Sequence, residues 1–312
     1  MSIYQDKINL VYRKEMVSQQ KVGASRSPNK PKYLIDFLTQ NGMITHFTLY
    51  DKWDPFQKED FYLAHTKQYV DAFFAGKEPL ASSNGLNWNA QFADSVRYTN
   101  ASLFHAIEQS ILHPDTIQFS PTSGFHHASP SHGSAFCTFS GQVIASVNIW
   151  NQYKLRGAYI DLDGHFGNSI EDSKGFIKGL NKIIPYNINP TNAHKVYIEN
   201  LTKELNRLSL DLLSGNVDYI VFCHGADSHE WDDLGHQCST EEWLLCSELV
   251  YKMIHRLSNK LGKPIPLSLS LFGGYRSDDF NSVLSLHTAD LSRCLDILCG
   301  QNTQYLPIVK ER

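Results

Sequence analysis

The sequence predicts an α/β protein built around a mostly parallel β-sheet. Short runs rich in β-branched and aromatic residues recur at 8–12, 46–50, 116–120, 157–163, 219–225 and 264–270. Most of these runs are separated by segments long enough to form a helix. Strands and helices that alternate along a whole chain are typical of a parallel sheet with helices on both faces. We therefore expect a three-layer αβα architecture.

Three long segments carry the helical pattern, and the clearest of them is 241–262. Its apolar repeat consists of Leu245, Leu249, Met253 and Leu257. Apolar residues at every fourth position predict a helix with one buried face. Segments 92–112 and 281–299 show the same kind of pattern.

Composition narrows the class of protein. The chain has 312 residues, with 28 Lys and Arg against 32 Asp and Glu, so its formal net charge is -4. This balance leaves no global basic surface for nucleic acid. No apolar run approaches the roughly 20 residues of a membrane span, and the N-terminus does not resemble a signal peptide. We expect no membrane association and a cytoplasmic location.

The chain shows no repeat and no clear linker, so we expect one domain over residues 1–312. The stretches 25–32 and 76–89 are predicted to be surface or rim loops. The six cysteines form no CxxC pair. We expect them to be buried free thiols rather than metal ligands or disulfides.

Polar side chains gather where four predicted strands end, within 123–129, 161–168, 225–235 and 272–279. One Asp or His at such a position is most often a cap or a hydrogen-bonded core group. Four such stretches are more than a core should tolerate. Because ligands of open parallel sheets bind at the carboxyl ends of the strands, these side chains indicate a functional site.

Asp163 and His165 form the most specific pair. Residues two apart on an extended backbone point to the same side, so this D-x-H unit can present an oxygen and a nitrogen to one metal ion. Asp227, after the strand at 219–223, can supply a third ligand. This donor set suits Zn²⁺ or Fe²⁺, and three protein ligands leave a position open for water.

Other polar residues could act on that water and on a substrate. We expect the side chains of His126 and His127 to diverge, so they are candidates for proton transfer rather than shared metal ligation, with Asp161 as a carboxylate partner. Gly273 and Gly274 allow a tight turn that can project Tyr275 into a cavity, where its hydroxyl could donate to an oxyanion.

These motifs, taken in order, resemble the histone deacetylase family of zinc amidohydrolases, which has the arginase/deacetylase fold. The residues that carry the resemblance are "GFHHASPSHGSAFCTFSGQVIAS", "YIDLDGHFGN", "GADSHEWDDLG" and "FGGY". Weaker similarity extends it to roughly residues 8–290. Two departures are the absence of the usual His and Glu from "SPNKP" and the presence of Phe272 where a third glycine is common.

The resemblance implies a role for each site residue. Asp163, His165 and Asp227 would bind the catalytic Zn²⁺ or Fe²⁺. The implied base and acid pair is His126 and His127, with Asn168 as a neutral partner of the second histidine. Asp161 would support His126 and a structural K⁺ or Na⁺ site, and Tyr275 would polarise the acyl carbonyl. The expected substrate contacts are Phe136, Gly273 and Gly274.

The expected reaction is hydrolysis of an acyl amide on a lysine side chain or on a small amine, without nucleic-acid or membrane partners. Alternatives are an acetylpolyamine amidohydrolase and a catalytically dormant acyl-binding regulatory protein. A two-metal ureohydrolase fits less well, because residue 167 is Gly rather than a bridging Asp. For the second wall of the substrate tunnel the candidates are His194 and Tyr197.

Overall fold

The computed structural model describes residues 2–18 and 25–311, and within them one sheet of seven strands is flanked by nine α-helices. The strands are β1 Ile8–Val11, β2 Phe47–Tyr50, β3 Gln118–Ser120, β4 Gly157–Asp161, β5 Tyr186–Ile188, β6 Tyr219–Cys223 and β7 Leu267–Ser270. The helices are α1 Lys30–Gln40, α2 Lys67–Phe74, α3 Ala90–Leu112, α4 Gly141–Tyr153, α5 Ser169–Ser173, α6 Leu180–Ile183, α7 His194–Leu213, α8 Thr240–Leu261 and α9 Phe280–Leu298.

The strand order is β2-β1-β3-β7-β6-β4-β5, and each neighbouring pair is parallel. The predicted α/β class with a mostly parallel sheet is therefore confirmed. One strand was missed: β5 has three residues, and the sequence analysis predicted no strand in this segment. The four adjacent strands β3, β7, β6 and β4 are those whose carboxyl ends carry the predicted polar stretches.

The sheet separates two apolar cores. In β6, Ile220 and Phe222 face the core under α1, α7, α8 and α9, whereas Tyr219 and Val221 face the core formed with α2, α3 and α4. Successive side chains of a strand point to opposite faces, so a strand covered on both faces must be apolar throughout. This arrangement is the expected αβα sandwich.

Helix α8 confirms the predicted segment but corrects its buried face. Ser239 and Glu242 form a capping box at its start, and Gly262 ends it with a φ of 66°. Leu245 is 41% exposed, and Leu249 is only partly buried. Met253 and Leu257 of the predicted repeat are buried, and the other buried positions include Trp243, Cys246, Val250 and Ile254. A spacing of four residues drifts around a helix that turns every 3.6 residues, so the two ends of that repeat lie on different faces.

All six cysteines are free and buried, as expected. Among the helices of residues 2–18 and 25–311, none has both the length and the apolar composition that crossing a membrane requires.

His65, just before α2, anchors the long loop that joins β3 to α4. One ring nitrogen, Nδ1, lies 2.9 Å from the carbonyl oxygen of Ser129, and Nε2 accepts a hydrogen bond from the Ser140 backbone at 2.9 Å. Nδ1 therefore carries the proton, and Nε2 must remain unprotonated in order to accept the hydrogen bond from Ser140. Burial lowers the pKa of His65 to about 3. This neutral histidine connects Ser129 and Ser140, the two ends of the segment that follows His126 and His127 and contains Phe136.

Phe272 follows β7 and adopts a left-handed backbone, with a φ of 61°. Its ring is buried against His126, with ring centroids 5.0 Å apart, and its carbonyl oxygen accepts a hydrogen bond from Lys30 Nζ. Lys30 is 0% exposed and opens α1. The prediction of a surface or rim loop over 25–32 is therefore wrong at its end, since Pro31 and Lys30 are buried beneath the β7 loop.

The neutral state of His65 predicts a specific acid sensitivity. Its folded pKa lies below the unfolded value of about 6.5, so the unfolded chain binds a proton more readily and stability falls as pH drops from about 6.5 towards 3. At pH 5 this one group should cost about 2 kcal/mol relative to pH 8. Urea unfolding of the wild type and of His65→Asn at both pH values should show a smaller pH effect in the variant. An equal pH effect in the two proteins would show that His65 is not the sensitive group.

The backbone of Phe272 predicts an unusual order of stabilities. Phe272→Ala and Phe272→Gly both remove the ring, at about 3–5 kcal/mol. Because a left-handed φ costs an L-residue about 1–2 kcal/mol, Phe272→Gly should be the more stable of the two by about 1 kcal/mol. Phe119, buried within β3, is the matched control, where the alanine variant should be the more stable. Urea midpoints of the four variants provide the test, and an alanine advantage at both positions would contradict it.

Candidate metal centre and active site

Four loops at the carboxyl ends of adjacent strands bring the predicted site residues together. The β3 loop carries His126 and His127, the β4 loop carries Asp163 and His165, and Asp227 follows β6. Tyr275 comes from the β7 loop. These residues are far apart in sequence, and the parallel sheet aligns them at one edge.

Asp163, His165 and Asp227 present ligand atoms that all lie within 4.8 Å of one another. His165 Nδ1 is 3.1 Å from Asp163 Oδ1 and 3.0 Å from Asp227 Oδ2. Both carboxylates are buried, whereas the His165 side chain is 36% exposed. Among the described residues no other His, Cys, Asp or Glu group of three is as compact.

Glycines allow this close approach. A Cβ on Gly273 would lie 2.3 Å from the Asp227 carboxylate, and a Cβ on Gly225 would lie 2.3 Å from its Oδ1. The Gly273 backbone N–H donates to Asp163 Oδ2 at 2.8 Å, and the Gly164 N–H donates to Asp227 Oδ1 at 3.0 Å. Each carboxylate is thus oriented by a backbone donor on one oxygen, while its other oxygen faces His165.

The charges of this group fit a metal cation. Burial, together with the adjacent Asp163, raises the pKa of Asp227 to about 8. Burial would also raise the pKa of Asp163, but His126 and His165 hold it well below its usual range. Two buried carboxylates in contact favour a cation between them, because like charges at this distance repel strongly in a low dielectric. One nitrogen and two carboxylate oxygens are suitable ligands for Zn²⁺ or Fe²⁺.

The two histidines of the β3 loop lie side by side. Their ring centroids are 4.1 Å apart, so the expectation that neighbouring side chains diverge is wrong here, since this stretch is a turn rather than extended backbone. His126 Nδ1 lies 3.0 Å from Asp161 Oδ2, and His127 Nδ1 lies 2.8 Å from Asn168 Oδ1. With Nδ1 held in this way, Nε2 of His126 turns toward the metal-ligand group, 3.6 Å from Asp163 Oδ1.

Their different partners separate the two pKa values. Burial opposes a charge on His126, but Asp163 and Asp161 outweigh it and raise the pKa of His126 to about 9. Burial, with His126 next to it, lowers the pKa of His127 to about 4. At neutral pH the pair therefore combines a neutral imidazole on His127 with a positively charged neighbour.

Tyr275 and Phe136 lie next to each other beside the candidate metal ligands. Their ring centroids are 5.9 Å apart, and the Tyr275 ring centroid is 6.4 Å from that of His165. Asp232 Oδ2 accepts a hydrogen bond from the Tyr275 backbone N–H at 2.7 Å. Burial, with Asp163 and Asp227, raises the pKa of the phenol well above its ordinary value, so it remains a donor.

A cavity of about 350 Å³ opens outward from these aromatic residues, and its wall includes Phe136, Gly274 and Tyr275. Gly273 is buried behind it and contacts the carboxylates instead. Neither candidate for the second wall borders the cavity: Tyr197 is 1% exposed in the core, and His194 pairs with Glu242 at 2.8 Å.

Sequence reasoning missed several residues near the site. Arg26 and Leu234 border the cavity, and Phe166, beside His165, is 54% exposed. Lys30 lies buried behind the β7 loop, and burial lowers its pKa to about 8. The departure noted in "SPNKP" could have drawn attention to Lys30, but no motif signalled the others.

The chain is similar to known proteins in sequence and in fold. A sequence profile of the histone deacetylase domain matches residues 25–175. The acetoin utilization protein AcuC of Bacillus subtilis (strain 168) is 24% identical over 243 residues, which cover 65% of this chain and 60% of that protein. The crystal structure of the HDA15 HD domain superposes with a TM-score of 0.72 at 17% identity and covers 99% of this chain and 91% of that one.

The structural match shows the arginase/deacetylase fold that the sequence predicted. The profile match includes the β3 loop with its histidine pair and the β4 loop with Asp163 and His165. By sequence, residues 25–175 are similar to the histone deacetylase domain, and the chain as a whole shares the fold of the HDA15 HD domain.

Proposed function

We propose that the protein is a metal-dependent amidohydrolase that removes acetyl or other acyl groups from lysine side chains or small amines. One observation carries this proposal: three candidate ligand atoms within 4.8 Å are bordered by two oriented histidines and a phenol. Hydrolysis of an amide requires these three functions, namely an activated water, proton transfer and stabilisation of an oxyanion.

Asp163, His165 and Asp227 are the proposed ligands. A divalent cation bound by them would act as a Lewis acid toward the amide carbonyl and would lower the pKa of water. Zn²⁺ is the proposed ion, and Fe²⁺ accepts the same donors. A monovalent cation near Asp161 stays a prediction.

The histidine pair would move the protons. His127 is neutral at physiological pH, and its Nδ1 donates to Asn168, so its Nε2 lone pair can accept a proton from the attacking water. The same nitrogen can then return the proton to the leaving amine. His126, whose Nδ1 lies 3.0 Å from Asp161, would be the second member of this base and acid pair and would exchange its proton through Nε2.

Tyr275 would stabilise the tetrahedral oxyanion. Its hydroxyl remains protonated, and the hydrogen bond from its backbone to Asp232 positions the residue at the entrance. Phe136 opposite would enclose the alkyl part of the substrate. Burial of that alkyl chain between two rings favours an extended acyl-amine over a bulky one.

The first experiment is release of acetate from an acetyl-lysine peptide and from N-acetylputrescine. Protein stripped of metal by a chelator should be inactive, and Zn²⁺ should restore turnover of at least one substrate. Bound metal without turnover of any acyl amine would instead favour the dormant acyl-binding alternative.

Replacement of Tyr275 by Phe should lower kcat by about 10²–10³, because it removes one oxyanion donor. The change in KM should be small, since the ring that contacts the substrate remains. Tyr153→Phe, at the end of α4, is a matched loss of a hydroxyl outside the site and should leave kcat unchanged. Full turnover by Tyr275→Phe would exclude this role for Tyr275.

Asp227→Asn should weaken Zn²⁺ binding by more than about 100-fold, because even indirect partners of metal ligands contribute 10- to 100-fold. The Tm of the metal-free variant should be close to that of the wild type at pH 7, since the wild-type carboxyl has a pKa of about 8. The increase in Tm on addition of Zn²⁺ should be lost. Asp36→Asn, in an exposed pair with Lys32, is the control, and retention of the Zn²⁺ response in Asp227→Asn would refute the ligand assignment.

A further inference from the structure

The wall of the cavity outside Tyr275 and Phe136 contains more basic than acidic side chains. Its ionisable wall residues are Arg26, Asp233 and Arg276, and the rest of the wall is polar or apolar. Glu78, in the predicted rim loop 76–89, does not border this cavity and instead accepts hydrogen bonds from Ser82. The outer part of this cavity, which Arg26 and Phe280 border and which we call the mouth, is therefore not predominantly acidic.

Arg276 is already neutralised by its neighbours. Its side chain is buried, and Nε and Nη2 bind the two carboxylate oxygens of Asp278 at 2.9 and 3.0 Å. The remaining Nη1 donates to the carbonyl oxygen of Lys310 at 2.8 Å. Because all three guanidinium nitrogens have partners, Arg276 offers little to a substrate.

Asp233 is also engaged, since its Oδ2 accepts a hydrogen bond from the Ser277 backbone N–H at 2.9 Å. This contact ties Asp233 to the turn after Arg276. The Asp233 carboxylate therefore stabilises the wall of the cavity, and one of its oxygens is occupied by the Ser277 backbone N–H group.

Arg26 differs from both. Its side chain is exposed, and its guanidinium carbon lies 5.0 Å from the centroid of the Phe280 ring, which also borders the cavity. No carboxylate of the described residues lies within ion-pair distance of it, and residues 19–24 include no Asp or Glu. Stacking on Phe280 holds the cation at the mouth without neutralising it.

From this geometry we infer that Arg26 selects acylated amines that carry a carboxylate on the amine side and disfavours those with a second cation. The inference rests on the proposed amidohydrolase function and gives its substrate class. Tyr275 lies deeper than Arg26, so the acyl group enters first and the amine side stays next to the guanidinium. The carboxylate could belong to an acidic residue beside acyl-lysine in a peptide or to the α-carboxylate of a small acylated amino acid.

The test compares substrates that differ only in charge. One arm uses acetyl-lysine peptides flanked by Glu, Gln or Lys. A second arm uses Nα-capped acetyl-lysine with a free carboxylate against its carboxamide. A third arm uses N-acetylputrescine against N-butylacetamide. The variants are Arg26→Gln and Arg26→Glu, with Lys32→Gln as the control, since Lys32 is an exposed cation of α1 outside the cavity wall.

We expect the wild type to favour Glu over Gln flanks by about two- to five-fold in kcat/KM, the range typical of exposed charge pairs, with the effect in KM. The ratio should approach one in Arg26→Gln and invert in Arg26→Glu, should persist in Lys32→Gln, and should shrink at high salt. In the wild type, kcat/KM for N-acetylputrescine should be lower than kcat/KM for N-butylacetamide. In Arg26→Glu, kcat/KM for N-acetylputrescine should rise. Preference in the first arm would indicate a peptide source, and preference in the second arm alone would indicate a small molecule.

The inference would be overturned if the wild type showed no preference for the carboxylate in either the peptide arm or the Nα-capped acetyl-lysine arm, or if a preference survived in Arg26→Gln. Turnover of the uncharged substrates in the same assays would still support the amidohydrolase. If no substrate is turned over, the proposed function fails, and Arg26 is then tested by binding alone. Fluorescence anisotropy of Glu- and Gln-flanked peptides with norleucine in place of acetyl-lysine gives that comparison. A Kd ratio of two or more that is lost in Arg26→Gln would still support the charge selection, and a ratio near one would reject it.

Discussion

The contact between two buried carboxylates, Asp163 and Asp227, is the constraint on which the rest of the site depends. Each sits at the end of a central strand, and His165 lies within about 3 Å of both. Such a contact persists only where cations or donors offset the repulsion. The glycines around Asp227, the backbone donors on both carboxylates and the charged histidines nearby all serve that balance.

The same constraint explains why the β7 loop has its unusual shape. Gly273 must lack a Cβ because Asp227 occupies that space, and it must donate to Asp163 at the same time. The preceding Phe272 then takes a left-handed φ, and its carbonyl turns toward the buried Lys30. Its ring packs on His126, so the loop that carries Tyr275 also supports one of the two adjacent histidines. Metal binding and catalysis would thus share one backbone segment.

Charge is distributed differently inside the site and at its mouth. The interior pairs buried acids with histidines, and one histidine stays neutral because burial and its charged neighbour disfavour a second proton. The mouth instead has Arg276 and Asp233 engaged with the protein and Arg26 stacked on Phe280. The interior would determine the reaction, and the mouth would influence which acylated amines reach it.

The sequence by itself determined the α/β class, the parallel sheet and the residues that gather at its edge, because apolar periodicity and charged strand ends are local patterns. It also indicated the D-x-H unit and Asp227, whose roles remain proposals. Only the tertiary structure decided which face of α8 is buried, that β5 is a strand and that His126 and His127 lie side by side. It also brought Arg26 and Phe280 together across more than 250 residues of sequence to form the mouth. Such contacts arise when distant segments pack, and no spacing within either segment encodes them.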